Sequence, residues 1–362
     1  MDFQTKVDLT KEKVFAVYPN SKVLALSFFD EKLLTKNYRN KTIYSFNSIP
    51  NDTTFQLIAI EHVNIIQQIL AKVSNLGGIK DLFIKTNSMC QNQLCFTINE
   101  DNLGETKIEE FIGAILEMIE VKNPIVSVYY RIYNQETKTQ FNTKDIEQIP
   151  FDFERSNAKL IEEVLGIRLY LSPYTFSRIN TFISPKIYEQ VHNLAGGEIN
   201  NIILYGRDVY YLAKYYAKLG KFPTLAVTHC KITYQDIITD FDMGMDMVMN
   251  PDKCINLAIE FCHKKDYVKT LNKFQNAKQK SCVILTAGRN GLSRDLIDYF
   301  IENTTITQII YIACNRDTMG RDLAILNKSF TLNNCVIIDE FPNTEYNNTI
   351  LELFRSKNKK SL

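Results

Sequence analysis

The chain has 362 residues, of which 45% are hydrophobic and 23% are charged, and its formal net charge at pH 7 is +1. This composition is typical of a globular protein with two or three domains. No segment approaches 18 uninterrupted apolar residues, and the polar start lacks a secretion-signal pattern, so neither a membrane partner nor secretion is expected. The near-neutral charge excludes a globally basic nucleic-acid binder but allows a local basic face. We expect a cytoplasmic protein.

The eight cysteines are spread along the chain, and none forms a C-x-x-C pair. The spacing of Cys254, Cys262 and His263 does not match a zinc site, so the sequence predicts no metal centre. Reduced thiols are the default in a protein without a secretion signal.

The first 158 residues predict an α+β domain. Strand-like runs fall at residues 23–28, 42–46, 55–60, 81–85, 93–98 and 124–133, and amphipathic helices are predicted at 62–73 and 106–121. The resulting β-α-β-β-α-β order is typical of an α+β fold. A charged stretch containing Pro150, residues 134–158, is predicted to be the exit from this domain.

Residues 159–362 predict a second, α/β domain. A helix at 183–194 precedes a strand at 201–204 and a helix that ends at residue 219. Further strands are predicted at 224–228, 281–286, 308–312 and 334–339, with helical patterns between them. Strands that alternate with helices indicate a doubly wound, mostly parallel sheet.

Cys314 follows the apolar run 309–312 and precedes a helical pattern at 319–326. It is therefore expected just past a strand's carboxyl end, where open α/β sheets bind ligands, and at a helix N-terminus, which favours a reactive thiolate. The alternative is an inert core cysteine.

Five segments carry a family resemblance. They are 38–41 (YRNK), 176–180 (FSRIN), 289–292 (RNGL), 310–326 (IYIACNRDTMGRDLAIL) and 338–344 (IDEFPNT). In this order they resemble the Y-R-N-K, F-x-Q-x-N, D-P-P-R-x-G-L, Y-I-S-C-N-P-x-T-L-x-x-D-L and D-x-F-P-x-T motifs of the S-adenosylmethionine-dependent RNA (uracil-5-)-methyltransferases. That family makes 5-methyluridine in tRNA and rRNA. The resemblance implies a Rossmann-like class I methyltransferase domain with a mixed, mostly parallel sheet.

The resemblance also implies a chemistry. Cys314 would add to C6 of a flipped-out uracil, which makes C5 able to accept the cofactor's methyl group. A carboxylate would then remove the C5 proton.

The residues expected to hold the cofactor depart from the family pattern. The family loop L-Y-C-G-x-G-x-F corresponds to residues 204–211 (LYGRDVYY), so Tyr205 and Gly206 are kept while the second glycine falls on Asp208 or Val209. The ribose-binding acid falls near residues 228–229, where neither residue is acidic. S-adenosylmethionine is thus the expected cofactor if the protein is active. The alternative is that the protein binds no cofactor.

The residues expected to perform catalysis depart as well. The aspartate of D-P-P-R falls on Thr286 and the base glutamate on Asn348 (or Asn347). Arg178, which is counted with the cofactor-binding positions, replaces the glutamine of F-x-Q-x-N that would read uracil. Asparagine cannot act as a base at neutral pH. The nearby Glu340, Glu345 and Glu352 are either a substitute base or ordinary surface and strand-end charges.

The expected partner is RNA, either tRNA or rRNA. A larger protein or ribonucleoprotein assembly is a second expected partner. Arg39, Lys41, Asn180 and Arg289 are the predicted RNA contacts, and Arg178 is a cation suited to a phosphate.

Three interpretations remain. The first is an RNA-binding homologue with lost or impaired methyl transfer, and the second is an active tRNA or rRNA uridine-C5 methyltransferase that uses Cys314. The third is an interaction module that has lost RNA binding too.

Overall fold

The computed structural model describes residues 1–26, 38–46, 57–104, 106–122, 124–133, 147–149, 159–196, 198–242, 257–263, 266–274 and 279–356. Within these ranges no helix is both long and apolar enough to cross a membrane. The predicted exit segment 134–158 lies outside the described residues except for 147–149.

The strands are β1 (Val23–Leu26), β2 (Lys41–Ser45), β3 (Ile79–Thr86), β4 (Asn92–Ile98), β5 (Ile125–Ile132), β6 (Glu147–Ile149), β7 (Leu160–Val164), β8 (Ile167–Leu171), β9 (Asn201–Gly206), β10 (Thr224–Thr228), β11 (Leu257–Phe261), β12 (Ser281–Thr286), β13 (Ile306–Ala313), β14 (Phe330–Ile338) and β15 (Asn348–Arg355). The helices are α1 (Phe3–Phe15), α2 (Ile60–Lys72), α3 (Ile108–Met118), α4 (Ser184–Leu194), α5 (Val209–Leu219), α6 (Lys231–Asp242), α7 (Tyr267–Phe274), α8 (Arg294–Glu302) and α9 (Arg316–Leu326).

The chain divides into two compact units, which we call the sheet unit (Met1–Asp30 with Phe182–Leu362) and the inner unit (Glu31–Thr181). This division differs from the predicted boundary between residues 158 and 159. The first 30 residues belong to the sheet unit because β1 pairs with β14, and because Lys6 on α1 forms an ion pair with Asp339. Residues 159–181 belong to the inner unit, where Lys85 and Gln93 donate hydrogen bonds to the carbonyls of Thr175 and Leu171.

The sheet unit has a mixed sheet in the order β1-β14-β15-β13-β12-β9-β10-β11 among the described residues. β15 runs antiparallel between β13 and β14, and the other pairs are parallel. Every residue of β12 is buried, as expected for a strand covered by helices on both faces. The predicted Rossmann-like class with a mixed, mostly parallel sheet is confirmed.

The inner unit is built on the sheet β2-β3-β4-β5-β6, and β7 and β8 form a separate hairpin. Helices α2 and α3 lie on one face of the sheet, where their isoleucines form one hydrophobic cluster with Leu82, Leu94, Phe96 and Val128. The sequence of strands and helices from β2 to β5 is the predicted β-α-β-β-α-β order.

Several elements have no counterpart in the prediction, namely α1, β6, β7, β8, β11 and β15. The β7–β8 turn shows why such elements are hard to recognise. Leu165 and Gly166 both adopt positive φ (51° and 72°), which fits a two-residue hairpin turn, but leucine rarely takes this conformation.

Candidate functional site

The candidate site lies at the edge of the sheet unit where β9, β10, β12 and β13 end. Cys314 immediately follows β13 and is half-buried. Ala313 pairs with Thr349 of β15, so extending the register by one residue places Cys314 opposite Asn348. The predicted nucleophile and the predicted base position are therefore neighbours across two strands.

The segment after Cys314 is fixed to the RNGL loop by one buried carboxylate. Asp322 is fully buried and accepts hydrogen bonds from the Leu292 amide (2.8 Å) and the Tyr311 hydroxyl (2.8 Å). Gly291 has a φ of +70°, and a Cβ there would lie 2.6 Å from the Asp322 carboxylate. These retained motif residues thus have a structural reason to persist.

Asn315 makes the second link between the same two segments. Its side chain accepts from the Asp317 amide (3.0 Å) and so caps α9, and it donates to the carbonyl of Arg289 (3.1 Å). The Arg289 guanidinium lies 4.9 Å from the centre of the Tyr346 ring, in a cation–π contact. Arg289 is exposed and lies at the same edge as Cys314.

The one glycine kept in the cofactor loop is required by the sheet itself. Gly206 ends β9 with a φ of +105°, and a Cβ on it would collide with the carbonyl oxygen of Thr286 on β12. No other residue fits such a close approach of two strand ends. Its presence therefore does not depend on a cofactor.

Asp208, at a glycine position of the family loop, is 2% exposed. Its carboxylate accepts hydrogen bonds from the Tyr188 hydroxyl (2.5 Å) and the Thr286 hydroxyl (2.7 Å). Two of the departures from the family pattern, at positions 208 and 286, are thus bonded to each other. Tyr188 stacks on Tyr211 at 3.8 Å, which holds the third member of this network in place.

The neighbouring positions also carry side chains in contact with the protein. The Arg207 guanidinium lies beside Gly288, at 3.2 Å from where a Cβ would stand. At the end of β10, the Thr228 hydroxyl accepts from the Cys230 amide, and His229 Nδ1 lies 2.8 Å from the Tyr267 hydroxyl. These contacts do not fit a loop shaped for the methionine end of S-adenosylmethionine, nor a strand end that supplies a carboxylate to its ribose.

The base position is also engaged within the protein. Asn348 is 2% exposed and donates its amide to the carboxylate of Glu340, which is equally buried. Asn347 donates to Thr10 Oγ1 on α1 (3.1 Å). Glu352 lies four residues along β15 and accepts from Gln308 (2.9 Å), whereas Glu345 is exposed. Of the three carboxylates considered from the sequence, only Glu340 contacts the base position.

A buried ion pair fixes the segment that contains Glu340. The Lys6 ammonium is fully buried and donates to Asp339 Oδ1 (2.7 Å) and to the carbonyl of Phe341 (2.7 Å). Burial lowers the pKa of Lys6 and raises the pKa of Asp339, and the mutual hydrogen bond opposes both shifts. Only the fold could reveal this pair, because 333 residues separate its members.

The other predicted RNA contacts lie in the inner unit. The backbone of Asn40, between Arg39 and Lys41, donates to the carbonyl of Ile179 (2.9 Å), and Lys41 donates to the carbonyl of Ser177. The YRNK and FSRIN segments are therefore adjacent. Arg178 and Asn180 are both buried, at 5% and 0% exposure. Asn40 and Ser177 belong to the YRNK and FSRIN segments but were not among the predicted site residues, and nothing in the sequence pattern had indicated Tyr188.

The order of the strands and the helices on both faces of the sheet define a Rossmann-like fold of the methyltransferase type. The backbone matches the crystal structure of a Pyrococcus abyssi tRNA (uracil-54, C5)-methyltransferase in complex with S-adenosyl-L-homocysteine, with a TM-score of 0.66 at 15% identity over 98% of this chain and 84% of that one. The family model for tRNA (uracil-5-)-methyltransferases matches residues 255–355.

Sequence relatives agree with that match. An uncharacterized RNA methyltransferase of Listeria innocua is 22% identical over 351 residues, which cover 88% of this chain and 71% of the relative. A tRNA/tmRNA (uracil-C(5))-methyltransferase of Helicobacter hepaticus is 33% identical over 78 residues, or 22% of this chain and 19% of that protein. The resemblance to the RNA (uracil-5-)-methyltransferases that the sequence predicted is therefore confirmed.

Proposed function

We propose that this protein is an RNA-binding member of its family in which methyl transfer is lost or impaired. The observation that carries the proposal is the Asp208 carboxylate, which is buried in the cofactor loop and bonded to Tyr188 and Thr286. A family loop depends on glycines because the backbone must approach the cofactor closely. Here the Asp208 side chain occupies the glycine position, and its carboxylate is hydrogen-bonded to other residues of the protein.

The base position supports the same proposal. Asn348 cannot accept the C5 proton, and loss of a general base typically costs about 10²–10⁴-fold in rate. The retained signature does not argue against it, because Asp322 and Gly291 are explained by packing. The expected partner is tRNA or rRNA, because the names of relatives include a tRNA/tmRNA and a 23S rRNA methyltransferase. In this reading, Arg39, Lys41 and Arg289 contact the RNA, whereas Asn180, at 0% exposure, does not.

An active uridine-C5 methyltransferase is the second candidate, favoured by two observations. Cys314 is half-buried rather than sealed in the core, and the carboxylate of Glu340 contacts Asn348 beside it. In such an enzyme Cys314 would be the nucleophile and S-adenosylmethionine the methyl donor.

Titration calorimetry with S-adenosylmethionine separates the two candidates. We expect no measurable heat for the purified protein at cofactor concentrations up to the millimolar range, together with measurable binding of a tRNA transcript. A dissociation constant in the micromolar range for the cofactor would contradict the proposed loss of methyl transfer.

A covalent trap examines Cys314 directly. An RNA that contains 5-fluorouridine cannot release a C5 proton, so an active enzyme supplied with the cofactor would remain attached through sulfur. We expect no adduct on denaturing gels. Should one form, it should disappear in Cys314→Ser and persist in Cys230→Ser, the matched control, because Cys230 is also half-buried and also precedes a helix.

A further inference from the structure

A cluster of buried polar atoms in the inner unit lies where the YRNK and FSRIN segments meet. The backbone of Asn40 is fully used, because its amide donates to Ile179 (2.9 Å) and its carbonyl accepts from Thr86 (2.8 Å). Lys41 donates to the carbonyl of Ser177, and its ammonium lies 5.1 Å from the centre of the Phe176 ring. These contacts fix the direction of both segments.

The side chains of this cluster are buried without being satisfied. Asn40 and Ser177 are each 6% exposed, yet neither the amide oxygen and nitrogen of Asn40 nor the hydroxyl of Ser177 has a hydrogen-bond partner among the described residues. The Nε of Arg39 is also buried and has no hydrogen-bond partner among the described residues. Native proteins rarely leave such groups unpaired, since each one lacks the hydrogen bonds that it makes to water when unfolded.

Other buried amides of the inner unit do find partners. Asn87 donates to Gln91 Oε1 (2.8 Å) and to the carbonyl of Ile161 (2.6 Å), and its oxygen accepts from the Gln91 amide (2.7 Å). Asn92 accepts from the Thr86 hydroxyl (2.6 Å). The amide oxygen of Gln93 is also unpaired, but its nitrogen donates to Ser127 (3.1 Å) and to the carbonyl of Leu171 (3.0 Å). Among the described residues of this unit, Asn40 is therefore the buried amide whose oxygen and nitrogen both lack a partner, which indicates a ligand.

We infer that Asn40 and Ser177 form a recognition site for one unstacked nucleotide of the bound RNA. A carboxamide offers a donor and an acceptor side by side, which matches the edge of a nucleobase. Ser177 adds a hydroxyl that can donate or accept, and the Arg39 guanidinium supplies the positive charge for the adjoining phosphate. A base reaches such a buried amide only when it leaves its stack, as bases do in single-stranded RNA. The inference rests on the proposed RNA binding and adds to it a residue that selects the base.

The test measures affinity for four fluorescent single-stranded RNA homo-oligomers over a range of salt concentrations. Unaltered protein is expected to prefer one base by about tenfold or more. Asn40→Leu should remove that preference and leave the salt dependence unchanged. Asn40→Asp, which keeps the size and removes the donor, should alter the order of preference and guards against a variant that fails to fold. Asn75→Leu, on an exposed loop of the same unit, is the control.

The phosphate contact has its own readout. Arg39→Gln should lower the slope of log affinity against log salt by about one and keep the base preference. Arg168→Gln, which removes an exposed arginine paired with Glu163, should change neither quantity.

The outcomes separate the two proposals. Two results would overturn the inference alone. In the first, Asn40→Leu binds RNA with the same base preference as the unaltered protein; in the second, the unaltered protein binds RNA without any base preference. Either result would assign the amide to a bound water. Absence of RNA binding by the unaltered protein would overturn the proposed function and the inference with it.

Discussion

Asp208 shows how two substitutions can become one structural feature. Residues 208 and 286 are 78 positions apart, and each departs separately from the family pattern. In the fold, the Asp208 carboxylate accepts hydrogen bonds from the hydroxyls of Thr286 and Tyr188. Because all three groups are buried, the network stabilises the protein only while every member is present.

Asp208→Ala is expected to lower the free energy of unfolding by about 2–4 kcal/mol, because it leaves the hydroxyls of Tyr188 and Thr286 buried without an acceptor. Urea unfolding followed by circular dichroism measures the change. Asp317→Ala removes an exposed carboxylate from the same unit and should cost less than about 1 kcal/mol. Equal losses of unfolding free energy in the two variants would contradict a stabilising role for the buried network.

His62 makes the inner unit sensitive to acid. The ring is fully buried, and burial lowers the pKa of His62 to about 3. The Thr86 hydroxyl donates to Asn92, so it must accept from Nε2–H of His62 (2.7 Å), and Nδ1 then accepts from Thr42 (2.8 Å). A protonated ring would have a second N–H facing a hydroxyl within this core.

We expect the contribution of His62 to stability to be constant above about pH 6.5 and to fall below it. The unfolded chain takes up a proton near pH 6.5 that the folded chain refuses until about pH 3, so up to about 4–5 kcal/mol is lost across this window. His62→Gln should remove this component from the pH profile of urea unfolding. If the variant showed the same acid slope as the unaltered protein, another group would be responsible.

At the scale of elements, the ends of the chain are joined to the sheet by side chains rather than by apolar stripes. Helix α1 buries Lys6, Val7, Thr10 and Val14, so half of its inner face is polar and its hydrophobic period is weak. Strand β15 buries Asn348, Thr349 and Glu352 among its apolar residues. Both elements escaped prediction because tertiary partners satisfy those polar groups, and the sequence pattern does not show the partners.

Arg355, at the end of β15, caps helix α8. Its guanidinium donates to the carbonyls of Phe300 (2.6 Å), Ile301 (3.1 Å), Asn303 (2.6 Å) and Ile306 (2.7 Å). The guanidinium carbon, Cζ, also lies 4.6 Å from the centre of the Phe330 ring. A cation at a helix C-terminus satisfies carbonyls that have no partner within the helix.

Arg355→Met is expected to destabilise the protein by about 2–4 kcal/mol, because several carbonyls lose a charged donor. Arg355→Lys should recover less than half of that loss, since an ammonium cannot reproduce the planar fork. Thermal unfolding of both variants measures the order. A lysine variant as stable as the original would show that charge alone suffices.

At the scale of the whole molecule, the sheet unit is discontinuous in sequence. Its first helix and strand precede the inner unit, and the rest follows it. The Lys6–Asp339 pair joins these two parts in a site with almost no solvent, and a second pair, Lys13–Asp317, joins them at the surface. The lysines of the buried pair and of the exposed pair both lie on α1, so the two pairs provide a matched comparison.

Lys6→Met is expected to cost about 3–5 kcal/mol, because it leaves the Asp339 carboxylate buried without its cation. Lys13→Met should cost no more than about 1 kcal/mol, because its pair is exposed. Double-mutant cycles with Asp339→Asn and Asp317→Asn, followed by urea unfolding, isolate each coupling. Similar coupling energies would contradict the role given to burial.

The sequence by itself determined the class of fold, the resemblance to one family of RNA methyltransferases, and the place of Cys314 after a strand of the sheet. These follow from local features, because apolar period and motif spacing are read within a few tens of residues. Only the tertiary structure decided what the departing residues do. It bonded Asp208 to Thr286, brought Glu340 to Asn348, joined Lys6 to Asp339 and left the amide of Asn40 unsatisfied among the described residues. Such pairings depend on which strand ends become neighbours and how deeply they are buried, and no local pattern of residues encodes either property.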